Sequence, residues 1–214
     1  MSNRIGIIGI AAVVAIILAA GIFTLYSASQ SDGTLSKQAD ASTKTVPQDE
    51  NKFASLKGDA FDEAFIADML AHHEGAVNMS EQAQAATARE EIRTLAGNIT
   101  ASQSMEMMEM RDWQKAWGYE ITNSGGHMSH GGGGMDMAGD MTEMMAKLQG
   151  LTGEAYDKEF LTQMIIHHEQ AVDMARFADT NAKHEEIKTL AREIITAQEA
   201  EIAQMKLWQQ EWGY

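Results

Sequence analysis

The feature that most constrains the fold of this chain is an internal repeat. The stretch from Phe65 to Met79 recurs from Phe160 to Met174, and both copies contain His-His-Glu. The match is longer than this stretch: residues 61–119 align with residues 156–214 without a gap, and 25 of the 59 positions are identical. A self-match of this length indicates one supersecondary unit that the chain uses twice.

Apolar residues that recur every three or four positions predict the first helix of each unit. The second helix of the first unit is predicted to begin near Thr87, because Thr87 and Glu90 fit a capping box. Gly118 and its copy Gly213 stand where a glycine ends a helix. Each unit is therefore predicted to be a helical hairpin.

The apolar face of the first helix in each unit is wide, and one helix pair cannot bury it alone. The two hairpins should therefore pack together. The sequence predicts an all-α protein, with a four-helix bundle of pseudo-two-fold symmetry and an N-terminal hydrophobic helix. The bundle is predicted to span residues 58–214. Repeat one covers 58–119, a Gly/His/Met-rich linker covers 120–152, and repeat two covers 153–214.

Residues 1–26 are predicted to be a membrane anchor or an export signal. Ile5 to Tyr26 carries no charged residue, and its length suffices to span a bilayer core of about 30 Å. Because hydrophobic regions of signal peptides are usually shorter, we expect an uncleaved transmembrane helix, with a cleaved signal as the alternative. Residues 27–57 are predicted to be a flexible tether. The body is then expected to face the periplasm or the extracellular space, or to be secreted after cleavage.

Composition excludes several classes of function. The chain has no cysteine, which excludes disulfides, zinc fingers and iron–sulfur clusters. A formal net charge of -15 argues against nucleic acid as a partner, because phosphate contacts need clustered Lys and Arg. The 16 methionines are the outlier, since several lie in segments that should not form a core.

Each His-His pair is bracketed by methionines at the same spacing in both copies. The first histidine shares its helix face with methionines three residues before and seven residues after, which can converge near one spot. The second histidine lies on a flanking row that faces the next helix, where a further methionine lies. The candidate metal ligands in the bundle are Met69, His72, His73, Met79 and Met110 in repeat one, and Met164, His167, His168, Met174 and Met205 in repeat two.

The linker adds further candidate ligands, His127, Met128 and His130, in a glycine-rich tract with several methionines. His/Met tracts are a compositional signal of metal binding. Imidazole and thioether together suit Cu(I), with Ag(I) as its chemical mimic, better than Mg(II) or Ca(II). Copper, as Cu(I), is therefore the expected metal.

Two other interpretations of the histidines stay open. Glu106 and Glu201, on the inner rows of the second helices, are either metal ligands or buried partners of the histidines. As ligands they would allow a His/Glu dinuclear redox enzyme, although no histidine here has a glutamate three residues before it, as di-iron bundles have. The third hypothesis is a bundle whose Met-rich surface binds a protein partner without metal.

The doubled motif Phe-x-x-x-Met-x-x-His-His-x-x-Ala-x-x-Met, followed by Gln-x-x-Glu and Trp-Gly, resembles the bacterial family called domain of unknown function 305. The resemblance covers roughly residues 58–214. It implies a ferritin-like four-helix bundle that is exported or membrane-anchored, and some members of the family are regarded as copper-binding proteins linked to copper resistance. The hypothesis that results is a non-enzymatic, extracytoplasmic copper protein that sequesters Cu(I) or passes it to another copper-handling protein.

Overall fold

The computed structural model describes residues 52–121 and 137–214, and within these ranges every regular element is a helix. The all-α prediction is confirmed for this part of the chain. The predicted N-terminal hydrophobic helix and most of the predicted tether lie outside the described residues. Among the helices that are described, none is long and apolar enough to cross a membrane. The helices are α1 Lys52–Ser55, α2 Asp59–Ala86, α3 Glu90–Trp117, α4 Met137–Leu148, α5 Gly153–Ala175, α6 Ala178–Asn181 and α7 Glu185–Trp212.

Four long helices form the helical bundle. α2 packs along α3, α5 packs along α7, and the two hairpins meet where α2 packs against α5. Gly118 and Gly213 end α3 and α7 in the left-handed region, with φ of 75° and 74°. Both glycine stops predicted from the sequence are therefore confirmed.

The start of α3 differs from the prediction. The helix begins at Glu90, and Thr87 is instead the C-cap residue of α2. The Thr87 hydroxyl accepts a hydrogen bond from the Arg89 amide at 3.0 Å and donates one to Asp157 of the other repeat. The predicted capping box does not form, because the Thr87 side chain is engaged in this contact between the repeats.

The core consists of two apolar clusters, each built from α2, α3, α5 and α7. We call them the Phe65 cluster and the Phe160 cluster, after two residues that are equivalent in the repeat. A residue of one cluster generally has its repeat equivalent in the other. The Phe65 cluster includes Met69, Met110, Met174, Ile187 and Ile194. The Phe160 cluster includes Met79, Met164, Met205, Ile92 and Ile99.

The two repeats are also joined at each end of the bundle by a polar contact. Asp62 of α2 is fully buried and accepts hydrogen bonds from the backbone amides of Lys183 and His184, both at 3.0 Å, and from His184 Nδ1 at 2.6 Å. The His184 ring lies flat on Trp117 at 3.8 Å. At the equivalent place in the other repeat, the Arg89 guanidinium lies 3.9 Å from the Trp212 ring.

We predict that Asp62→Asn lowers the free energy of unfolding by roughly 2 kcal/mol. The amide can accept fewer of the three hydrogen bonds, and its own N–H groups face other donors, which is costly for a buried group. Urea unfolding followed by circular dichroism measures the change.

Asp59→Asn is the matched control, because Asp59 is exposed and binds the Lys183 ammonium and the Tyr119 hydroxyl. Its effect is expected to be much smaller, since solvent screens exposed ion pairs. Equal destabilisation by the two variants would contradict the assignment of Asp62 as the buried connection.

Candidate metal centre

The first histidines of the two pairs meet where α2 packs against α5. The ring centroids of His72 and His167 lie 3.6 Å apart, with 34° between the ring planes. His72 Nε2 donates a hydrogen bond to the backbone carbonyl oxygen of His167 at 2.8 Å. Because the two residues are equivalent in the repeat, the pseudo-two-fold axis of the bundle passes between them.

The hydrogen bond fixes the proton of the His72 ring. A carbonyl oxygen only accepts, so Nε2 carries the proton, and in the neutral ring the lone pair lies on Nδ1. This Nδ1 is buried and has no hydrogen-bond partner among the described residues. A buried, unprotonated and unpartnered imidazole nitrogen is a donor that a metal ion can use.

Burial keeps both central rings neutral. Loss of hydration lowers the pKa of His72 well below its usual value, and the nearby His73 lowers it further, whereas the hydrogen bond to His167 opposes the shift. For His167, burial again is the main cause of a lowered pKa, followed by the neighbouring His72. Metal ligation by histidine requires the neutral ring, so the environment selects the form that binds.

The second histidine of each pair is held by a carboxylate from the adjacent helix. His73 Nε2 lies 2.6 Å from Glu106 Oε2, and His168 Nε2 lies 2.7 Å from Glu201 Oε2. The predicted contact of these histidines with the neighbouring helix is thus present in both repeats. Their Nδ1 atoms are also buried without a partner in the described ranges. A carboxylate on one ring nitrogen that leaves the other free is the usual arrangement behind metal-ligating histidines.

The six candidate methionines of the bundle are all buried, but their grouping differs from the expectation. Met69 and Met79 lie in different clusters, because ten residues of helix separate them by about 15 Å. Each is instead grouped with a methionine of the other repeat: Met69 with Met174, and Met79 with Met164. Met110 belongs to the first group and Met205 to the second. Thioethers therefore belong to both apolar clusters, equivalently in the two repeats.

In the two ranges that the structure describes, no three His, Asp or Glu side chains are grouped so that they could hold a metal ion. A donor set of imidazoles and thioethers is a different case, since it includes methionine sulfur. The linker ligands His127, Met128 and His130 lie outside the described residues, and their assignment stays a prediction.

The structure adds Met141, a possible ligand that the set of candidate ligands omits. Met141, on α4, places its sulfur against the backbone of Gly75, beside the His167 ring. The repeat equivalent of Gly75 is Gln170, whose amide donates to Asp140 Oδ2 of α4 at 2.9 Å. Comparison of the two copies carries a signal for this contact, because Gly75 and Gln170 are the only difference within His-His-Glu-x-Ala-Val.

These features define a class: a duplicated helical-hairpin protein with buried histidine pairs on its pseudo-two-fold axis and thioethers in the clusters around them. The sequence profile of the family "Domain of unknown function (DUF305)" matches residues 23–91 and 62–209. The chain belongs to this family, as its doubled motif predicts. No curated protein sequence matches the chain.

Several solved structures are similar to this chain. CopM in its Cu(I)-bound form is 34% identical, with a TM-score of 0.58 over 71% of this chain and 96% of CopM. CopM has also been solved in an Ag-bound form, at 33% identity and a TM-score of 0.57, over 71% of this chain and 96% of that one. A DUF305 protein from Streptomyces coelicolor that is inferred to be secreted is 30% identical, with a TM-score of 0.62 over 72% of this chain and 92% of that one.

The lowered pKa values of His72 and His167 predict how stability depends on pH in the metal-free protein. Above a pH of about 6.5 both rings are neutral in the folded and unfolded states. Below it, the unfolded chain binds protons that the folded chain does not, so the free energy of unfolding falls as the pH falls. We expect a loss of roughly 1 kcal/mol per histidine and per pH unit between pH 6.5 and 5, measured by urea unfolding with a chelator present.

The double variant His72→Gln with His167→Gln removes these two groups and keeps the other titrating residues. Its stability should fall less steeply over the same pH range. Parallel pH profiles for the variant and the unmodified chain would show that these rings do not carry the dependence.

Proposed function

We propose that this protein is an extracytoplasmic copper-binding protein that holds Cu(I), or Ag(I) in its place, and passes or sequesters the ion without catalysis. The observation that carries the proposal is the set of four buried imidazoles on α2 and α5, each with an Nδ1 that has no hydrogen-bond partner among the residues the structure describes. The similarity to CopM, which has been solved with Cu(I), Cu(II) and Ag, supports the choice of ion.

The donor set favours a soft, monovalent ion. Imidazole and thioether ligands bind Cu(I) well and bind hard cations such as Mg(II) and Ca(II) poorly. The apolar clusters around the histidines provide few oxygen ligands, and a low-dielectric environment disfavours a higher charge on the ion. In this proposal Met69, Met110 and Met174 contribute sulfur from one cluster, and Met79, Met164 and Met205 contribute it from the other.

Glu106 and Glu201 act in this proposal as orienting partners rather than as ligands. Each accepts a hydrogen bond from a histidine of its own repeat, which leaves the other nitrogen of that ring available. The alternative of a His/Glu dinuclear redox enzyme requires the two carboxylates to bind metal themselves. The two roles predict different metals, which the titration below compares.

The proposed location follows from the sequence ahead of the bundle. Ile5 to Tyr26 would anchor the protein in the membrane or direct its secretion, and the bundle would lie outside the cytoplasm. The relative from Streptomyces coelicolor, inferred to be secreted, supports an extracytoplasmic place. His127, Met128 and His130 would capture ions or hand them to a partner protein.

The proposal predicts that the full chain, kept in mild detergent, binds several Cu(I) or Ag(I) ions and binds Fe(II) and Zn(II) more weakly. His72→Gln with His167→Gln should reduce the number of bound Cu(I) ions, because two imidazole ligands are removed. Native mass spectrometry under anaerobic conditions counts the ions, and circular dichroism verifies that the helices persist.

His184→Arg is the matched control, since it also removes a histidine. Arginine is the residue that the other repeat uses at this place, where Arg89 stacks on Trp212 as His184 stacks on Trp117. It should bind as many ions as the unmodified chain. Tight iron binding with little Cu(I) would favour the dinuclear enzyme, and binding of none of the four metals would refute the metal proposal.

The orienting role of the glutamates gives a second prediction. Glu106→Gln with Glu201→Gln should weaken Cu(I) binding by roughly 10- to 100-fold while the number of ions stays the same, as expected when an orienting partner is lost. Competition with a coloured Cu(I) chelator measures the affinity.

Glu199→Gln, on the exposed side of α7 two residues from Glu201, is the control. It should leave the affinity unchanged. If the glutamate double variant loses ions outright, the carboxylates are ligands and the orienting role is wrong.

A further inference from the structure

The helix between the repeats, α4, packs on the bundle. It contacts both α2 and α5. Met144 and Leu148 are buried in the Phe160 cluster, and Met141 and Met145 pack against that cluster while partly exposed. This element is present once in a molecule whose other parts are largely duplicated.

Gly75 leaves the space into which Met141 fits. A Cβ atom at this position would overlap the Met141 sulfur and would lie 3.1 Å from its Cγ. Any side chain on residue 75 would therefore displace the methionine. The equivalent position carries Gln170, whose amide donates a hydrogen bond to Asp140, the residue before Met141 on α4. Both copies of this repeat position therefore contact α4. Gly75 does so by leaving a notch that Met141 fills, and Gln170 does so through a hydrogen bond.

The notch also borders the central histidines. The Cβ position at Gly75 lies 3.2 Å from His167 Nε2, so the Met141 sulfur and this nitrogen flank the same small space. An ion held between a nitrogen and a sulfur needs bonds of roughly 2.0 and 2.3 Å, the lengths that zinc makes to such atoms. The His72 ring packs against the His167 ring, with 3.6 Å between the ring centroids, and is the adjacent imidazole.

We propose that the Met141 sulfur and the His167 imidazole, with His72 beside them, form a single asymmetric site for Cu(I) or Ag(I), and that Gly75 is required because it leaves room for the sulfur. The site rests on the proposed copper function and assigns one of the bound ions to a specific place. Because α4 occurs once in the described part of the chain, there is one such site in that part. This ion would lie at the junction between α4 and the bundle.

Partial exposure gives Met141 a different role from the buried methionines. Its side chain is held on one side by the cluster and open to solvent on the other. A ligand in this position can exchange its ion without opening the core. Thioether and neutral imidazole carry no charge, so the site compensates none of the charge of the ion and favours a soft ion of low charge.

The test replaces the sulfur without changing the packing. Met141→Leu keeps the apolar volume, since Leu and Met exchange with little loss of stability. Met145→Leu, one turn further along α4 and packed on the same cluster, is the matched control. The full chain is titrated with Ag(I) in competition with a chromophoric ligand, and native mass spectrometry counts the ions.

Met141→Leu should remove one Ag(I) from the saturated protein or weaken that one ion roughly ten-fold or more, as for a lost interaction at a metal site. Met145→Leu should bind as the unmodified chain does. Gly75→Ala, which removes no ligand, should weaken the same ion because its Cβ displaces the sulfur. Identical binding by Met141→Leu and Met145→Leu would overturn the assignment.

A second measurement reports on the site directly. In the full chain labelled at its methionine methyl groups, the resonance that is missing in Met141→Leu should shift with Ag(I) in the unmodified chain and should require a higher Ag(I) concentration to shift in Gly75→Ala. A Met141 resonance that does not move at saturation would overturn the proposal. If the unmodified chain binds no Ag(I) or Cu(I), the proposed function itself fails; if it binds them and only Met141 is indifferent, this site alone is wrong.

Discussion

The burial of two imidazoles against each other on the pseudo-two-fold axis is the constraint on which the rest of the structure depends. Two rings at 3.6 Å can share an apolar environment only if both are neutral, because two imidazolium charges at that distance would repel strongly in a low dielectric. Burial, which is the main cause of the lowered pKa of His72 and of His167, maintains that state. The hairpins are thus joined at their centre by groups that stay uncharged until an ion or a proton reaches them.

The glutamates that contact the second histidine of each pair each bind only one of its two ring nitrogens. Glu106 and Glu201 each pair with one nitrogen of a histidine, and the second nitrogen has no partner within residues 52–121 and 137–214. A fold selected for stability alone would pair such atoms, since an unsatisfied buried polar atom costs free energy. The same nitrogen is without a partner at all four histidines in the described part of the chain, as the proposed binding role requires.

Much of the fold and part of the site could be predicted from the sequence. The repeat and the helical period gave the hairpins, and Gly118 and Gly213 marked their ends because only a left-handed residue suits those positions. The pairing of His73 with Glu106 is one of the two roles that the sequence leaves open for this glutamate, since His73 lies on the row that faces the next helix and Glu106 lies on the inner row of that helix. The grouping of Met69 with Met174 was not predictable from one helix, because it depends on how the antiparallel helices align. Thr87 was misassigned for the same reason: its partner, Asp157, is distant in sequence.

The difference between Gly75 and its repeat equivalent Gln170 limits the exchange of sequence between the two copies. Positions such as Met69 and Met164, which occupy equivalent clusters, remain interchangeable between the two copies. With α4 across one side, residue 75 has no room for a side chain beside Met141, and residue 170 makes a contact of its own. Exchange of sequence between the copies would be silent at the first kind of position and disruptive at the second.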